Sequence, residues 1–303
     1  MKILVLGGSG LLGSAIVRRL QTDDNEVVSF SSKDCDLAYP KKQDELIKLF
    51  KKIKPDTIYH CAGLVGGIGA NMANPYEFLV HNAKMAVNVI DAAVSCEIEN
   101  FFYMSSSCVY PSQCSQPMKE EKIFTGSVED TNRGYAVAKL LGMEATREAR
   151  IKFGANYRSM IPCNLYGYDD DFSERGHVIS SIINKIKDAK AKKEYSISVW
   201  GDGSPRREFL HVDDAADAIV FSAHNISADY INIGSGEDIS IHDLTIKILE
   251  LANARNISID FDSSKPNGMM KKCLDISKIT EFGWKPKISL DQGISEILKR
   301  LDI

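Results

Sequence analysis

Two segments of the chain carry side chains that could move a hydride and a proton. Ser106 and Cys108 lie in the run Ser105–Pro111, and the only Tyr-x-x-x-Lys, Tyr135 to Lys139, follows about thirty residues later. Residues four apart share one face of a helix, and a nearby ammonium favours the tyrosinate, so the tyrosine could exchange a proton near neutral pH. Ser106 could hydrogen-bond a substrate oxygen beside it. These residues predict hydride transfer at a carbonyl.

Cys108 suggests a second reaction in the same site, because an ionised thiol can take a proton from carbon. The alternative is that Cys108 is a small buried apolar residue, which is a common fate of a free cysteine. The first interpretation predicts an enzyme that both epimerises and reduces its substrate. The second predicts a plain dehydrogenase.

A glycine loop must position the hydride donor. Gly8–Gly13 matches G-x-G-x-x-G, directly after a predicted strand and at the start of a predicted helix. Such glycines let the backbone turn tightly and approach a pyrophosphate, which the helix N-terminus attracts. We expect a dinucleotide here, with a purely structural turn as the alternative. The residues predicted to hold it at this loop are Gly7, Gly8, Ser9, Gly10, Leu11, Leu12 and Gly13.

The choice between NAD and NADP depends on the end of the second predicted strand. NAD-binding proteins usually place Asp or Glu there for the ribose 2′-hydroxyl. This chain has Ser31, Ser32 and Lys33 instead, and two hydroxyls with a cation suit a 2′-phosphate. We therefore predict NADPH, with a polar surface turn as the alternative. Asp36 and Leu37 lie where the adenine ring would be approached.

The wider pattern predicts an α/β fold: a Rossmann-type doubly wound parallel sheet with a smaller C-terminal substrate-binding α/β domain. Strands and helices alternate regularly as far as Tyr166. We expect an NADP-binding domain of residues 1–165, with a returning segment at about 207–234. Residues 166–206 and 235–303 would form the nucleotide-sugar-binding domain. The predicted strands of the first half are 2–6, 26–30, 57–62 and 100–105, and its predicted helices are 14–20, 43–53 and 82–95.

Composition excludes several classes of protein. The 303 residues are 44% hydrophobic and 26% charged, as in ordinary globular proteins. A net charge of −4 gives no reason to expect a nucleic-acid or membrane surface, and no apolar run approaches the roughly 18 residues that span a bilayer. The seven cysteines form no Cys-x-x-Cys pair, so we predict neither disulfides nor a metal site. The chain enters a strand directly from Met1, and we expect a cytoplasmic protein with reduced thiols.

These motifs together resemble the GDP-L-fucose synthase family of the extended short-chain dehydrogenase/reductases. The Val-Gly-Gly-Ile loop, the cysteine after the serines, the Gly-His-Val-Ile step and the Lys-Pro-Asn-Gly turn are its narrower signals. The other segments are shared with the wider superfamily. The matching segments are Gly8–Ala15, Val65–Ile68, Ser106–Pro111, Tyr135–Lys139, Asn164–Gly167, Gly176–Ile179, Arg207–Asp214 and Ser264–Gly268.

The resemblance implies a GDP-linked 4-keto sugar as substrate. Its C3 and C5 protons are acidic because each carbon adjoins the carbonyl. The family's roles assign Cys108 as the base and His177 as the acid of epimerisation. Hydride from NADPH then reaches C4 while Tyr135 protonates the alkoxide. Lys139 holds the nicotinamide ribose, and Ser106 polarises the carbonyl. Without the resemblance, His177 could equally cap the helix that follows it.

The resemblance also implies residues that bind the two ligands, and a homodimer formed through helices around 85–93 and 138–149. Cationic side chains would hold the diphosphate, and Trp200 would line the nucleotide pocket. The remaining implied cofactor-binding residues are Ala62, Tyr135, Lys139, Pro162, Asn164, Leu165 and His177. The implied substrate-binding residues are Ser106, Ser107, Cys108, Asn164, Lys185, Trp200, Arg207 and Lys272.

The chain departs from the family pattern at four positions. Ser9, Lys185 and Lys271 stand where arginine is expected, and Ser180 replaces a proline that often follows the His-Val-Ile step. A heptose or another 4-keto sugar is therefore an alternative substrate. Two further alternatives are a C4 reductase without epimerase activity and an NAD-retaining nucleotide-sugar epimerase. A dehydratase usually has Asp-Glu after its catalytic serine or threonine, where this chain has Ser107 and Cys108, and the intact trio argues against a non-catalytic sensor.

Overall fold

Strands and helices alternate through the first half of the chain, as the sequence predicts. The computed structural model describes residues 1–40, 44–170, 172 and 176–303. Its strands are β1 Lys2–Leu6, β2 Glu26–Phe30, β3 Thr57–His60, β4 Asn100–Met104, β5 Asn156–Pro162, β6 Asn164–Tyr166, β7 Ser196–Trp200, β8 Arg206–His211, β9 Tyr230–Ile233, β10 Asp238–Ser240, β11 Ser258–Asp262 and β12 Lys271–Lys272. Its α-helices are α1 Leu11–Gln21, α2 Glu45–Ile53, α3 Ile68–Ala73, α4 Pro75–Ser95, α5 Arg133–Phe153, α6 Val178–Lys192, α7 Val212–Asn225, α8 Ile241–Leu251, α9 Ser277–Glu281 and α10 Leu290–Arg300. Short 3₁₀ turns occupy Ser107–Val109, Glu120–Lys122 and Asp130–Asn132.

The central sheet confirms the predicted Rossmann-type fold. Its six strands stand in the order β2-β1-β3-β4-β5-β9, and every neighbouring pair is parallel. Helix α1 packs with α7, whereas α4 packs with α2 and α5, so strands such as β1 are buried and apolar along their length. The strand order reverses at β1, with β2 on one side and β3 on the other. The glycine loop follows β1 and therefore lies at the switch point, where open α/β sheets bind their ligands.

The later segments build smaller sheets around a second hydrophobic cluster. Strand β8 pairs with β10, β12 and β6, while β7 pairs with β11. The second cluster includes Ile183, Leu244, Ile248 and Ile294. The segment 207–234 contributes α7 and β9 to the cluster of the large sheet. The predicted domain boundaries stay a prediction.

The helices differ from the prediction at three starting points. Helix α1 begins at Leu11, three residues before the predicted Ser14. Helix α4 begins at Pro75 rather than near Asn82, because proline fits the first turn, where its missing N–H has no partner to lose. Helix α2 begins at Glu45, and Gln43, the first residue of the predicted helix, lies outside the described residues. Among the helices that the structure describes, none combines the length and apolar character needed to cross a bilayer.

A buried carboxylate, Glu208 on β8, ties the small sheet to the large one. One oxygen accepts the backbone N–H of Gly236 at 2.7 Å, and the other accepts that of Leu274 at 2.8 Å. Burial raises the pKa of Glu208 to about 7, against the lowering effect of these hydrogen bonds. The folded protein therefore holds this proton more tightly than the unfolded chain does.

The raised pKa predicts a pH-dependent stability. The contribution of Glu208 is fully present below the unfolded pKa, about 4.5, and is lost as the pH rises to about 7. The difference in unfolding free energy between the wild type and Glu208→Gln should fall across this window by up to about 1.4 kcal/mol per pH unit. Urea unfolding at several pH values measures it, with the exposed Glu237→Gln as the control. A pH-independent difference would contradict the assignment.

Candidate active site

The glycine loop turns tightly onto the sheet and leads into α1, whose N-terminus has no side-chain cap. Gly7 has a φ of +83°, and the N–H groups of Gly7 and Gly8 donate to the carbonyl of Phe30 at 2.8 and 3.0 Å. A Cβ on Gly13 would lie 2.0 Å from the Gly7 oxygen, so the helix packs directly on the loop. Gly10 precedes α1, and no side chain caps its N-terminus. This geometry fits a pyrophosphate at the switch point.

The loop after β2 contains an acid that the sequence reasoning missed. The backbone N–H and the hydroxyl of Ser31 both donate to the Asp34 carboxylate, at 2.8 and 2.7 Å. The backbone bond first, and then the side-chain bond, lower the pKa of Asp34. One of the two predicted hydroxyls is thus held by a carboxylate, and exposed Ser32 and Lys33 are the remaining groups for a 2′-phosphate. The Ser31 hydroxyl also accepts the backbone N–H of Lys33 at 3.3 Å, and a serine-led turn of this kind could have revealed the loop's conformation.

Two other predicted cofactor segments lie beside the glycine loop. Ala62 follows β3, and a Cβ on Gly7 would lie 2.6 Å from its backbone nitrogen. Gly167, which follows β6, lies against Leu11, with 3.6 Å from its built Cβ to a Leu11 methyl. Asp36 turns the chain by accepting the N–H groups of residues 38 and 39 at 3.0 Å. Leu37 is buried beside it.

The structure brings the catalytic trio together. Ser106 follows β4, and its hydroxyl is near enough to the Tyr135 hydroxyl to lower the pKa of that phenol in part. Tyr135 and Lys139 are both buried on one face of α5. The Lys139 ammonium donates to the Met104 carbonyl at 2.8 Å and lies 5.8 Å from the centre of the Tyr135 ring. The three side chains therefore meet at the carboxyl end of β4.

Burial dominates the protonation of this trio. It raises the pKa of Tyr135 well above the usual value, with Cys108 adding to the rise and the hydrogen bond to Ser106 opposing it. It also lowers the pKa of Lys139 to about 8. The prediction that the ammonium favours a tyrosinate is therefore wrong for Tyr135, because desolvation of the phenolate outweighs it. Tyr135 is a buried phenol, the state that a proton donor needs.

Cys108 lies in polar surroundings. It belongs to the 3₁₀ turn directly after Ser106, and its sulfur is 3.1 Å from Nδ2 of Asn132 and 3.3 Å from Nζ of Lys272. Ser107 is buried in the same turn. A residue that only filled the core would have apolar neighbours, so these contacts favour a chemical role for the thiol.

Arg207 fixes the Lys-Pro-Asn-Gly turn at the rim of the site. Its guanidinium donates to the carbonyl of Asn267 at 3.0 Å and to that of Met269. Burial lowers the pKa of Arg207, while the charges of Glu129 and Cys108 oppose that effect. Arg207, the residue predicted to bind the diphosphate, therefore lies close to the thiol. Glu129 is a second residue that the sequence reasoning missed.

The narrow family signals meet around one cleft. A Cβ on Gly268 would lie 3.2 Å from the side chain of Ile68, which joins the Lys-Pro-Asn-Gly turn to the Val-Gly-Gly-Ile loop. A Cβ on Gly67 would lie 3.8 Å from the Gly176 carbonyl, just before His177. The half-exposed Trp200 ring covers Gly69, where a Cβ would come within 2.8 Å. Segments far apart in sequence thus enclose one site.

His177 is paired with an acid rather than capping its helix. It precedes α6, and its side chain makes no capping hydrogen bond. Its Nδ1 lies 3.4 Å from the carboxylate of Asp170, which also accepts the hydroxyl of Ser180. The substitution of proline by Ser180 therefore gives this chain an additional contact to the acid. Asp170 was missed because its loop shows no periodic pattern.

The remaining predicted residues lie on the surrounding strands. Asn164 donates to the Glu208 carbonyl at 2.7 Å, and Lys185 donates to the Ser198 carbonyl at 2.7 Å. Pro162 ends β5. Leu165 lies on β6, where it packs against the large hydrophobic cluster. Ser9 is exposed on the glycine loop. Their roles towards a ligand stay predictions.

A parallel sheet with a glycine loop at its switch point and a Ser-Tyr-Lys trio defines an extended short-chain dehydrogenase/reductase. The model of the NAD dependent epimerase/dehydratase family matches residues 3–234. A GDP-L-fucose synthase of Sinorhizobium fredii is 38% identical, over 97% of this chain and 93% of its own. The chain belongs to this family and, within it, to the GDP-L-fucose synthases.

Solved structures share the whole architecture. A GDP-6-OMe-4-keto-L-xylo-heptose reductase from Campylobacter jejuni superposes with a TM-score of 0.91 at 28% identity, covering 99% of this chain and 97% of the other. MlghC, a GDP-mannoheptose C4 reductase from the same organism with NADP bound, has a TM-score of 0.88 at 28% identity, covering 100% and 98%. The likeness therefore extends over both hydrophobic clusters.

The loop geometry predicts that two alanine substitutions will act differently. Gly10 has a φ of −82°, and its Cβ would lie an ordinary 3.5 Å from the Gly7 oxygen, so Gly10→Ala should fold normally but obstruct the pyrophosphate. Gly13→Ala should destabilise the fold by about 1–3 kcal/mol through overpacking. Thermal melting and fluorescence titration with a reduced nicotinamide dinucleotide measure both effects. We expect an affinity loss of about tenfold or more for Gly10→Ala, and unchanged affinity would contradict the site.

Proposed function

We propose that this protein uses NADPH to reduce the C4 ketone of a GDP-linked 4-keto sugar after inverting the configuration at C3 and C5. The observation that carries this proposal is the buried Ser106–Tyr135–Lys139 trio with the polar-lined Cys108 at its edge. Membership of the GDP-L-fucose synthases and the NADP-bound structural neighbour support it.

Reduction uses the trio as a proton donor. The bound dinucleotide supplies the hydride for C4, and the helix N-terminus with the surrounding glycines would hold its pyrophosphate. The hydroxyls of Ser106 and Tyr135 hydrogen-bond the ketone oxygen and stabilise the charge that develops there. Tyr135 gives its proton to that oxygen. Lys139 stabilises the resulting tyrosinate and would contact the ribose.

Epimerisation uses the same ketone to acidify the adjacent carbons. Cys108, as thiolate, takes the proton from C3 or C5, and the electron pair moves into an enolate whose oxygen is held by Ser106 and Tyr135. His177 then donates a proton to the opposite face of the carbon. The sulfur has gained one proton and the imidazole has lost one. Solvent must reset both groups before the next exchange.

The nucleotide is expected at the rim of the cleft. Net charge is −4, so local cations must attract the diphosphate. Arg207 and Lys185 would serve this purpose, with Trp200 beside the base. Ser107 and Asn164 line the path to the sugar. These assignments follow the family pattern. We also propose the predicted division of the chain into a cofactor-binding domain and a nucleotide-sugar-binding domain.

A reductase without epimerase activity is the second candidate. Two structural neighbours are heptose reductases, and Ser9, Lys185, Lys271 and Ser180 depart from the fucose synthase pattern. The substrate would then be a GDP-4-keto-heptose whose configuration another enzyme has already set. An epimerase that retains its nicotinamide cofactor is the further alternative. A reductase consumes one reduced cofactor for each product and such an epimerase consumes none, so net cofactor oxidation distinguishes them.

We also propose a cytoplasmic homodimer. Helices α4 and α5 pack side by side and leave Val87, Val137 and Leu141 exposed, at 47%, 39% and 41%. A second copy would cover these apolar side chains. All seven cysteines are free, which suits a reducing compartment. We expect a dimer in light-scattering mass measurements, and a monomer would reject the seam.

Isotope exchange tests the epimerase part directly. The enzyme is incubated in D2O with NADPH and either GDP-4-keto-6-deoxy-mannose or a GDP-4-keto-heptose, with NADH in a parallel series, and the products are examined by NMR. Deuterium at C3 and C5 together with reduction at C4 is the expected result. Reduction at C4 with no deuterium at either carbon would establish the reductase alone.

Cys108→Ala should separate the two reactions. We expect exchange at C3 and C5 to fall by about a hundredfold or more, because a general base typically contributes 10²–10⁴-fold. Reduction of a substrate that already has the product configuration should stay within about threefold, because Cys108 has no part in that step. Equal loss of both activities would mean that Cys108 is structural.

A further inference from the structure

Lys272 is a buried cation that contacts the thiol of Cys108, the proposed base. Lys272 is 7% exposed, and its ammonium donates to the Cys108 sulfur at 3.3 Å. A neutral thiol is a weak acceptor, and a buried ammonium is costly unless it faces an anion. A thiolate at Cys108 would satisfy that requirement.

The pleat of the small sheet directs Lys272 towards the site. Strand β12 pairs with β8 in parallel, so Lys272 is opposite Arg207 and Lys271 is opposite Arg206. Lys271 and Arg206 both pair with Asp238. Successive side chains of a strand point to opposite faces, which places Lys272 and Arg207 on the cleft side.

A second donor faces the same sulfur. Nδ2 of Asn132 lies 3.1 Å from it, at the end of the 3₁₀ turn that leads into α5. Among the residues that the structure describes, Arg207 and Tyr135 are further ionisable groups whose pKa values the charge of Cys108 affects. Glu129 offsets part of this positive charge, since it faces Arg207. Donors and cations therefore predominate around the sulfur.

We propose that Lys272 is a positioning residue that holds Cys108 as a thiolate, with Asn132 as the second donor, and so prepares the base for proton transfer from C3 and C5. The inference rests on the proposed function and deepens it. When the sulfur takes a proton from carbon, Lys272 loses its anionic partner, which favours return of that proton to solvent.

Thiol alkylation tests the proposal without any turnover. Iodoacetamide labelling of Cys108 is followed by peptide mass spectrometry between pH 6 and 10 in the wild type, Lys272→Met, Lys272→Arg and Lys271→Met. Lys271 is the matched control, because it is adjacent in sequence and pairs with Asp238 at 3.0 Å on the other face.

We expect Lys272→Met to slow alkylation at pH 7 by about tenfold or more and to move the rise in rate to higher pH. Lys272→Arg should restore most of the wild-type profile, and Lys271→Met should leave it unchanged. If Lys272→Met does not fold, Asn132→Ala supplies a smaller shift in the same direction. A wild-type pH profile in folded Lys272→Met would overturn the proposal.

Activity measurements separate this role from binding of the diphosphate. Lys272→Met should lower deuterium exchange at C3 and C5 about tenfold or more, and by a larger factor than it lowers C4 reduction of a pre-epimerised substrate. A rise in KM for every GDP-sugar, with unchanged alkylation, would assign Lys272 to the diphosphate instead and overturn the proposal. If the protein shows no exchange at all, the proposed epimerase function fails, while the alkylation profiles still decide whether Lys272 holds a thiolate.

Discussion

Burial of positive charge is the constraint on which this site depends. Lys139 and Lys272 are buried, and Arg207 is partly buried. Each must find an acceptor in the protein, because an unpaired buried cation is costly. Lys139 donates to a carbonyl at the end of β4, and Arg207 donates to a carbonyl of the Lys-Pro-Asn-Gly turn. Lys272 donates to the sulfur of Cys108. The last of these contacts joins the late part of the chain to the turn that follows β4, at the carboxyl end of the central sheet.

The same burial decides how protons can move. A tyrosine in water loses its proton only well above neutral pH, and burial raises the pKa of Tyr135 further. That makes the residue an acid ready to protonate an alkoxide, which is the requirement of the reductive direction. Ionisation of Tyr135 becomes favourable only when charge develops on the neighbouring substrate oxygen. Under the proposed function, the site would therefore stabilise the transition state rather than the resting ketone.

The sequence predicts the fold well because its signals are local. Apolar strands ending in glycine and alternating with helices can be recognised without contacts between distant residues, and the Ser106, Tyr135 and Lys139 motif lies within that frame. The wrong or missing parts depend on tertiary burial. Burial in the folded protein decides the direction of the Tyr135 pKa shift. The folded chain also brings Asp34 to Ser31 and Asp170 to His177, and neither contact can be read from a local pattern. Lys272 illustrates the difference between local and tertiary signals. Its positive charge alone predicts a contact with phosphate, whereas its contact with the Cys108 thiol follows only from its position in the fold.

The measurement that tests the central claim most directly traces the hydride. NADPH carrying deuterium at C4 of the nicotinamide is supplied with a GDP-4-keto sugar in ordinary water, and the product is examined by NMR. The account predicts deuterium at C4 of the sugar and at no other carbon, with one oxidised cofactor for each product molecule. A product with no deuterium at C4, or a changed sugar without net oxidation of the cofactor, would contradict it.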